Sequence, residues 1–153
     1  METTALIETN ELTKIYNHVV AVDHLSFTVA EGEIFGFLGP NGAGKTTTLL
    51  LLLGLTEPTS GSAKVMGLDP AREPIKVKSA IGYLQENMGF YPDLNAVQML
   101  RFVAELNNLS GSEIDGRIDD ALKMVGLVAE SEKKIGAYSR GMRQRLGVAE
   151  LLI

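Results

Sequence analysis

Gly39-Pro40-Asn41-Gly42-Ala43-Gly44-Lys45-Thr46 is a complete G-x-x-x-x-G-K-[ST] phosphate-binding loop. It follows the apolar run Ile34-Phe35-Gly36-Phe37-Leu38 and precedes Thr47-Thr48-Leu49-Leu50-Leu51, the strand–loop–helix setting that the motif requires. Glycines let successive backbone N–H groups curl around a phosphate with no Cβ in the way. The following helix adds its unsatisfied N-terminal donors and the positive end of its dipole. Lys45 supplies a point charge for the β- and γ-phosphates, and the Thr46 hydroxyl is placed to ligate Mg²⁺. An ordinary glycine-rich turn is the competing reading, and the flanking pattern argues against it. The stretch predicts a chain that binds a nucleoside triphosphate, or descends from one that did.

Composition narrows the setting. The 153 residues are one domain's worth, and 45% apolar with 22% charged is ordinary for a globular protein. A formal net charge of −5 argues against a non-specific grip on nucleic acid, which needs clustered Lys and Arg, so no nucleic-acid partner is expected. There is no cysteine, hence no disulfide framework or thiol chemistry, which is compatible with a reducing cytoplasm. The start, Met1-Glu2-Thr3-Thr4, is acidic where a secretory signal would be basic, and no apolar h-region follows. The longest apolar run, 49–53 extended by Gly54-Leu55, is far short of the roughly 20 residues that span a bilayer. It reads as a helix buried on most sides. Any membrane role must come through a partner.

The first third reads as β-rich. Residues 12–16 and 19–29 are short runs of β-branched and aromatic residues separated by Asn17-His18. Glu31-Gly32-Glu33 turns the chain into 34–38, whose residues are apolar on both faces, as in a strand buried inside a parallel sheet. A helix over 46–54 ends at Gly54, with Pro58 and Gly61 beyond. Residues 62–66 and 81–85 read as further strands. From Pro92 the pattern is helical: Val97, Leu100, Arg101, Ala104 and Leu106 fall near helical spacing, as do Ile114, Ile118, Ala121, Leu122 and Val125. The run 107–111 separates the two. A last helix is expected from Ser139 to the end.

Three more features stand around the loop. Tyr16 lies on or beside an early strand, Gln85 ends the strand before the helical part, and Tyr138-Ser139-Arg140-Gly141-Met142-Arg143-Gln144-Arg145 opens the last helix. Singly they are a sheet-surface aromatic, a solvated loop residue and a routine N-cap. Together, in this order, they resemble the nucleotide-binding subunit of an ATP-binding-cassette (ABC) transporter over essentially the whole chain.

The resemblance implies an α/β fold: an incomplete P-loop NTPase core with an N-terminal antiparallel β subdomain and an inserted α-helical subdomain. It divides the chain into a partial ATP-binding core over 1–87 and a helical subdomain over 88–153. It implies that ATP and Mg²⁺ are bound by Tyr16, Gly39, Pro40, Asn41, Gly42, Ala43, Gly44, Lys45, Thr46, Thr47 and Gln85. Tyr16 would stack on adenine, where a flat π-face favours offset stacking. Thr46 and Gln85 would serve the metal, and the Gln85 loop would touch the membrane subunits. Ser139, Arg140, Gly141 and Met142 would be the signature segment, meeting the γ-phosphate of an ATP held by a second subunit in a head-to-tail dimer. The protein would sit on the cytoplasmic face of the membrane through its permease subunits.

The signature departs from the common Leu-Ser-Gly-Gly-Gln. Tyr138 replaces Leu, Arg140 replaces the first Gly, and Met142 replaces Gln. A residue other than Gly is tolerable at 140 if its φ is negative. This wording, with Tyr91-Pro92-Asp93-Leu94, resembles exporters of drugs, antibiotics or sodium. The Asp, Glu and His that the family places after the signature helix have no counterpart here. Glu86 and Glu150 are poor substitutes as base, and His18 and His24 read as strand or surface residues. The expectation is a fragment that binds ATP without turning it over alone. A soluble ABC-type ATPase and a non-hydrolysing regulator are the alternatives. A GTPase or small-molecule kinase is disfavoured, because the chain carries no Asn-Lys-x-Asp base-reading motif and the signature segment would have no role.

Overall fold

The computed structural model describes residues 5–85, 88–109, 111 and 113–153. Backbone contacts divide it into two compact units, one reaching to Ile81 and one running from Gly82 to Ile153.

The first unit is built on a hairpin. β1 (Ala5–Tyr16) and β2 (Val19–Ala30) pair antiparallel, with Tyr16 opposite Val19. Asn17 and His18 both take left-handed φ, 44° and 69°. That is the two-residue turn whose twist suits a hairpin. β3 (Ser60–Val65) adds to the other edge of β1, giving the order β2-β1-β3, antiparallel throughout. α1 (Lys45–Leu52) and α2 (Pro74–Ala80) accompany the sheet, and Leu12, Val22, Leu51, Leu52, Val65 and Val77 form the core. α1 stops as the glycine suggests. Gly54 sits at φ 61°, and the amides of Leu55 and Gly54 return to the carbonyls of Leu50 and Leu51 at 2.9 and 3.1 Å. Leu49 remains exposed, so the apolar run is buried on most of its sides and not all. At seven residues α2 is too short to show a period; its signal is Pro74 at the first helical position.

Two expected strands are absent. Residues 34–38 form no strand and make no backbone hydrogen bond among the described residues, and the only described sheet is antiparallel. Alternation along the segment explains its position. Phe35 stacks on Phe27 with ring centroids 5.2 Å apart and planes at 6°, and Phe37 lies 5.8 Å from Phe27. Ile34 and Leu38, on the other face, are 100% and 93% exposed. Apolar pattern alone does not make a strand; a partner with free N–H and C=O groups must lie alongside. Residues 81–85 likewise carry no strand pairing, so Gln85 closes no strand.

The second unit is helical. α3 (Ala96–Leu106) begins in a capping box: the amide of Gln98 donates to Asn95 Oδ1 at 2.8 Å, and the amide of Asn95 donates to Gln98 Oε1 at 3.0 Å. α4 (Glu113–Met124) buries Ile114, Ile118, Ala121 and Leu122, the stripe expected from their spacing. On α3 the buried face is Ala96, Met99, Leu100 and Ala104, whereas Leu106 points to solvent. α5 (Arg140–Glu150) starts where Ser139 caps it and ends at Glu150, short of the expected end of the chain. Leu100, Leu127, Ile135 and Leu146 are fully buried between these elements. A Cβ on Gly147 would lie 2.1 Å from Met88 Sδ, so a larger residue there would have to move the Met88 side chain aside.

Candidate nucleotide site

The phosphate-binding loop is seated on β2. Gly44 has φ 81°, and a Cβ on it would lie 2.3 Å from the carbonyl oxygen of Ala21. Only glycine meets both conditions. Gly42, at φ 84°, has open space where a Cβ would be. The loop is closed by the Ala43 amide donating to the Pro40 carbonyl at 3.2 Å. Lys45 Nζ reaches back across it and donates to the carbonyls of Gly39 and Pro40 at 2.6 and 2.7 Å. Gly39, Pro40 and Asn41 are solvent-exposed, as is Thr46, while Thr47 is half-buried.

α1 has no side-chain cap at its N-terminus. The first amides of a helix have no intrahelical acceptor, so here they are left for something outside the helix. A residue that the sequence reading passed over holds this end together. Thr48, 2% exposed, donates from Oγ1 to the Gly44 carbonyl at 3.0 Å, and its amide donates to the same oxygen at 2.8 Å. The only hint in sequence is the unusual Thr46-Thr47-Thr48 run. Beside the loop opens a cleft of about 350 Å³ lined by Val20, Val22, Asp23, Phe37, Gly42 and Thr48, among others.

Tyr16 is at the same end of the hairpin. Its partner Val19 is two residues from Ala21, against which Gly44 packs, a separation along the strand of about 7 Å. The ring is 43% exposed. His18 lies in the turn. His24, exposed, pairs with Asp23 at 2.6 Å, and that hydrogen bond raises its pKa.

In the second unit Gln85 is exposed on an irregular stretch, and Glu86 lies outside the described residues. Ser139 Oγ accepts the Met142 amide at 3.2 Å, which leaves its own O–H free to donate. Arg140 is the first helical residue with negative φ, so the side chain is accommodated without strain. Nothing lies within 4 Å of where a Gly141 Cβ would be. Tyr138 is 3% exposed, and its hydroxyl donates to the Glu130 carbonyl at 2.7 Å. Burial pushes that phenol's pKa up. Tyrosine thus fills a pocket at the head of α5 and ties it to the 3₁₀ turn Val128–Glu130. Glu150 ends α5 with Oε1 buried and without a hydrogen-bond partner among the described residues, and burial raises its pKa to about 7.

Some donors are right for a nucleotide and its metal. Uncapped amides, a lysine and open glycines suit phosphate, and the hydroxyl of exposed Thr46 is a hard oxygen ligand suited to Mg²⁺. Among the described residues no cluster of three or more His, Cys, Asp or Glu could hold a metal. Mg²⁺ bound with phosphates and water needs only one or two protein oxygens.

These features define an incomplete P-loop nucleotide-binding fold. Residues 22–153 match the family model described as ABC transporter. The chain is 43% identical over 148 residues to the bacitracin transport ATP-binding protein of Bacillus licheniformis, covering 97% of this chain and 47% of that one. It is 38% identical over 151 residues to Nod factor export ATP-binding protein I of Cupriavidus metallidurans, covering 98% and 50%. Among solved structures it superposes on cbiO1 of Clostridium perfringens, part of the ABC transporter complex cbiONQ. That match has a TM-score of 0.87 at 25% identity, over 97% of this chain and 61% of that one. The chain belongs to the ABC transporter family, and membership implies ATP binding. It spans about half the length of the curated relatives it matches. No described helix is long and apolar enough to cross a membrane.

Proposed function

We propose that this chain is the nucleotide-binding part of an ABC exporter subunit that binds Mg-ATP through residues 39–47. The observation that carries the reading is the seating of Gly44 on β2 beneath an α1 N-terminus that no side chain caps. Bound ATP would supply phosphates to those amides and to Lys45, which exchanges the Gly39 and Pro40 carbonyls for them. Tyr16 offers its face to adenine and Thr46 offers an oxygen to Mg²⁺, the metal to which the family resemblance also assigns Gln85. Residues 1–87 form the partial core and 88–153 the helical subdomain. Ser139 to Met142 would address the ATP of a second subunit, and permease subunits would hold the protein at the cytoplasmic face of the membrane. Relatives named for bacitracin transport and Nod factor export support an export role.

Binding is expected to outlast turnover. Phosphoryl transfer needs a residue that orients the attacking water. Glu150 has a carboxyl, but it is half-buried at the end of α5 with its charge disfavoured by burial. Titration of the 153-residue chain with Mg-ATP, with and without Lys45→Ala, tests the site. Loss of one charge-assisted contact should weaken affinity about 10- to 100-fold. Equal affinity in the two proteins would overturn the assignment, and brisk phosphate release by the wild-type chain would overturn the expectation on turnover.

A further inference from the structure

Tyr16 is held more firmly than a half-exposed strand-end aromatic needs to be. Its hydroxyl reaches Thr56 Oγ1 at 3.4 Å. Lys14 Nζ stands over one face of the ring, 4.8 Å from the centroid. That ammonium is anchored in turn, donating to the carbonyl of Glu57 at 2.6 Å. The stretch 56–59 is itself pinned to β1. The amide of Ile15 donates to Thr59 Oγ1 at 3.0 Å, and the amide of Thr59 donates to the Thr13 carbonyl at 2.8 Å. This stretch leaves the C-terminal end of α1, the helix whose N-terminus carries the phosphate loop.

We infer that Lys14 is a positioning residue for the base: it occupies one face of Tyr16 and leaves the other as the single platform on which a purine can stack. The inference rests on the reading of Tyr16 as the base-stacking residue. A cation over an aromatic face is attracted by the ring quadrupole. A ring already fixed at its face and its hydroxyl loses little rotamer freedom when a ligand arrives. One run of chain therefore joins the two subsites, with α1 opening on the phosphates and the segment after it holding the lysine that sets the ring.

The test compares Mg-ATP with Mg-tripolyphosphate, which lacks a base, by calorimetric titration of the 153-residue chain and its variants. Lys14→Met keeps length and removes charge. It should weaken ATP about two- to fivefold and leave tripolyphosphate unchanged, and Lys14→Arg should restore the ATP preference. Combined with Tyr16→Ala, Lys14→Met should add nothing further. If Lys14→Met weakens both ligands equally, the lysine acts as a general charge or a structural prop and the inference falls. It falls too if Tyr16→Ala lowers the preference for ATP and Lys14→Met does not. A Tyr16→Ala variant with an unchanged preference would overturn the base-stacking reading itself.

Discussion

α1 and α5 both begin beside a glycine and a hydroxyl residue, and they begin in opposite ways. At α1 the glycine is dictated from inside: Gly44 has left-handed φ and its missing Cβ is filled by the Ala21 carbonyl, while the helix amides go uncapped. At α5 the amides are provided for, since Ser139 caps Met142, while Gly141 has negative φ and empty space around it. A glycine within a helix costs about 1 kcal/mol against alanine. Among the described residues no close contact calls for a glycine at 141. The difference separates a backbone shaped by its own fold from one left bare for an outside surface, which in the proposed dimer is the second subunit's triphosphate.

The largest expected effect breaks the first half of that contrast. Gly44→Ala should lower stability by on the order of 3 kcal/mol, from the left-handed φ and the backbone contact together, as read from urea unfolding midpoints. It should also abolish Mg-ATP binding. Ser139→Ala tests the second half: loss of the cap should cost about 1 kcal/mol, visible as a lower thermal midpoint. Gly141→Ala should stabilise the chain by up to about 1 kcal/mol. A loss of stability there would show that the site is not open. The finest test uses pH. The carboxyl of Glu150, pushed up to about 7 from 4.5, favours the protonated form in the folded chain. Its contribution is complete below pH 4.5 and is lost as pH rises through 7. Wild-type stability should therefore fall across that window relative to Glu150→Gln, with unfolding midpoints measured at half-unit steps.

Much of the site was legible because its parts are local. Eight consecutive residues specify the loop, and the Asn17-His18 pair between two β-branched runs specifies the hairpin that brings Tyr16 to it. Ser139 as the N-cap and Gly54 as the stop are equally short-range. What misled was long-range. Residues 34–38 have the composition of a buried central strand, yet strand formation depends on a neighbour that composition does not reveal. Thr48 was passed over because a threonine inside an apolar run looks like helix filler; its role appears only when its hydroxyl is seen on the Gly44 carbonyl. Tyr138 reads in sequence only as a departure from the common signature; its structural role appears when its hydroxyl is seen on the Glu130 carbonyl.

The stretch leading into the phosphate loop is ordered by its side chains and not by its main chain. Phe35 and Phe37 grip Phe27, while the amides of 34–38 have no partner among the described residues. In heavy water those amides should take up deuterium on the timescale of an unfolded peptide, although the segment holds its course. The amides of β1, paired on both sides, should be labelled far more slowly. The approach to the loop would then be marked on an exchange map as a bright band beside a dark sheet: fixed in shape, and open at every hydrogen bond.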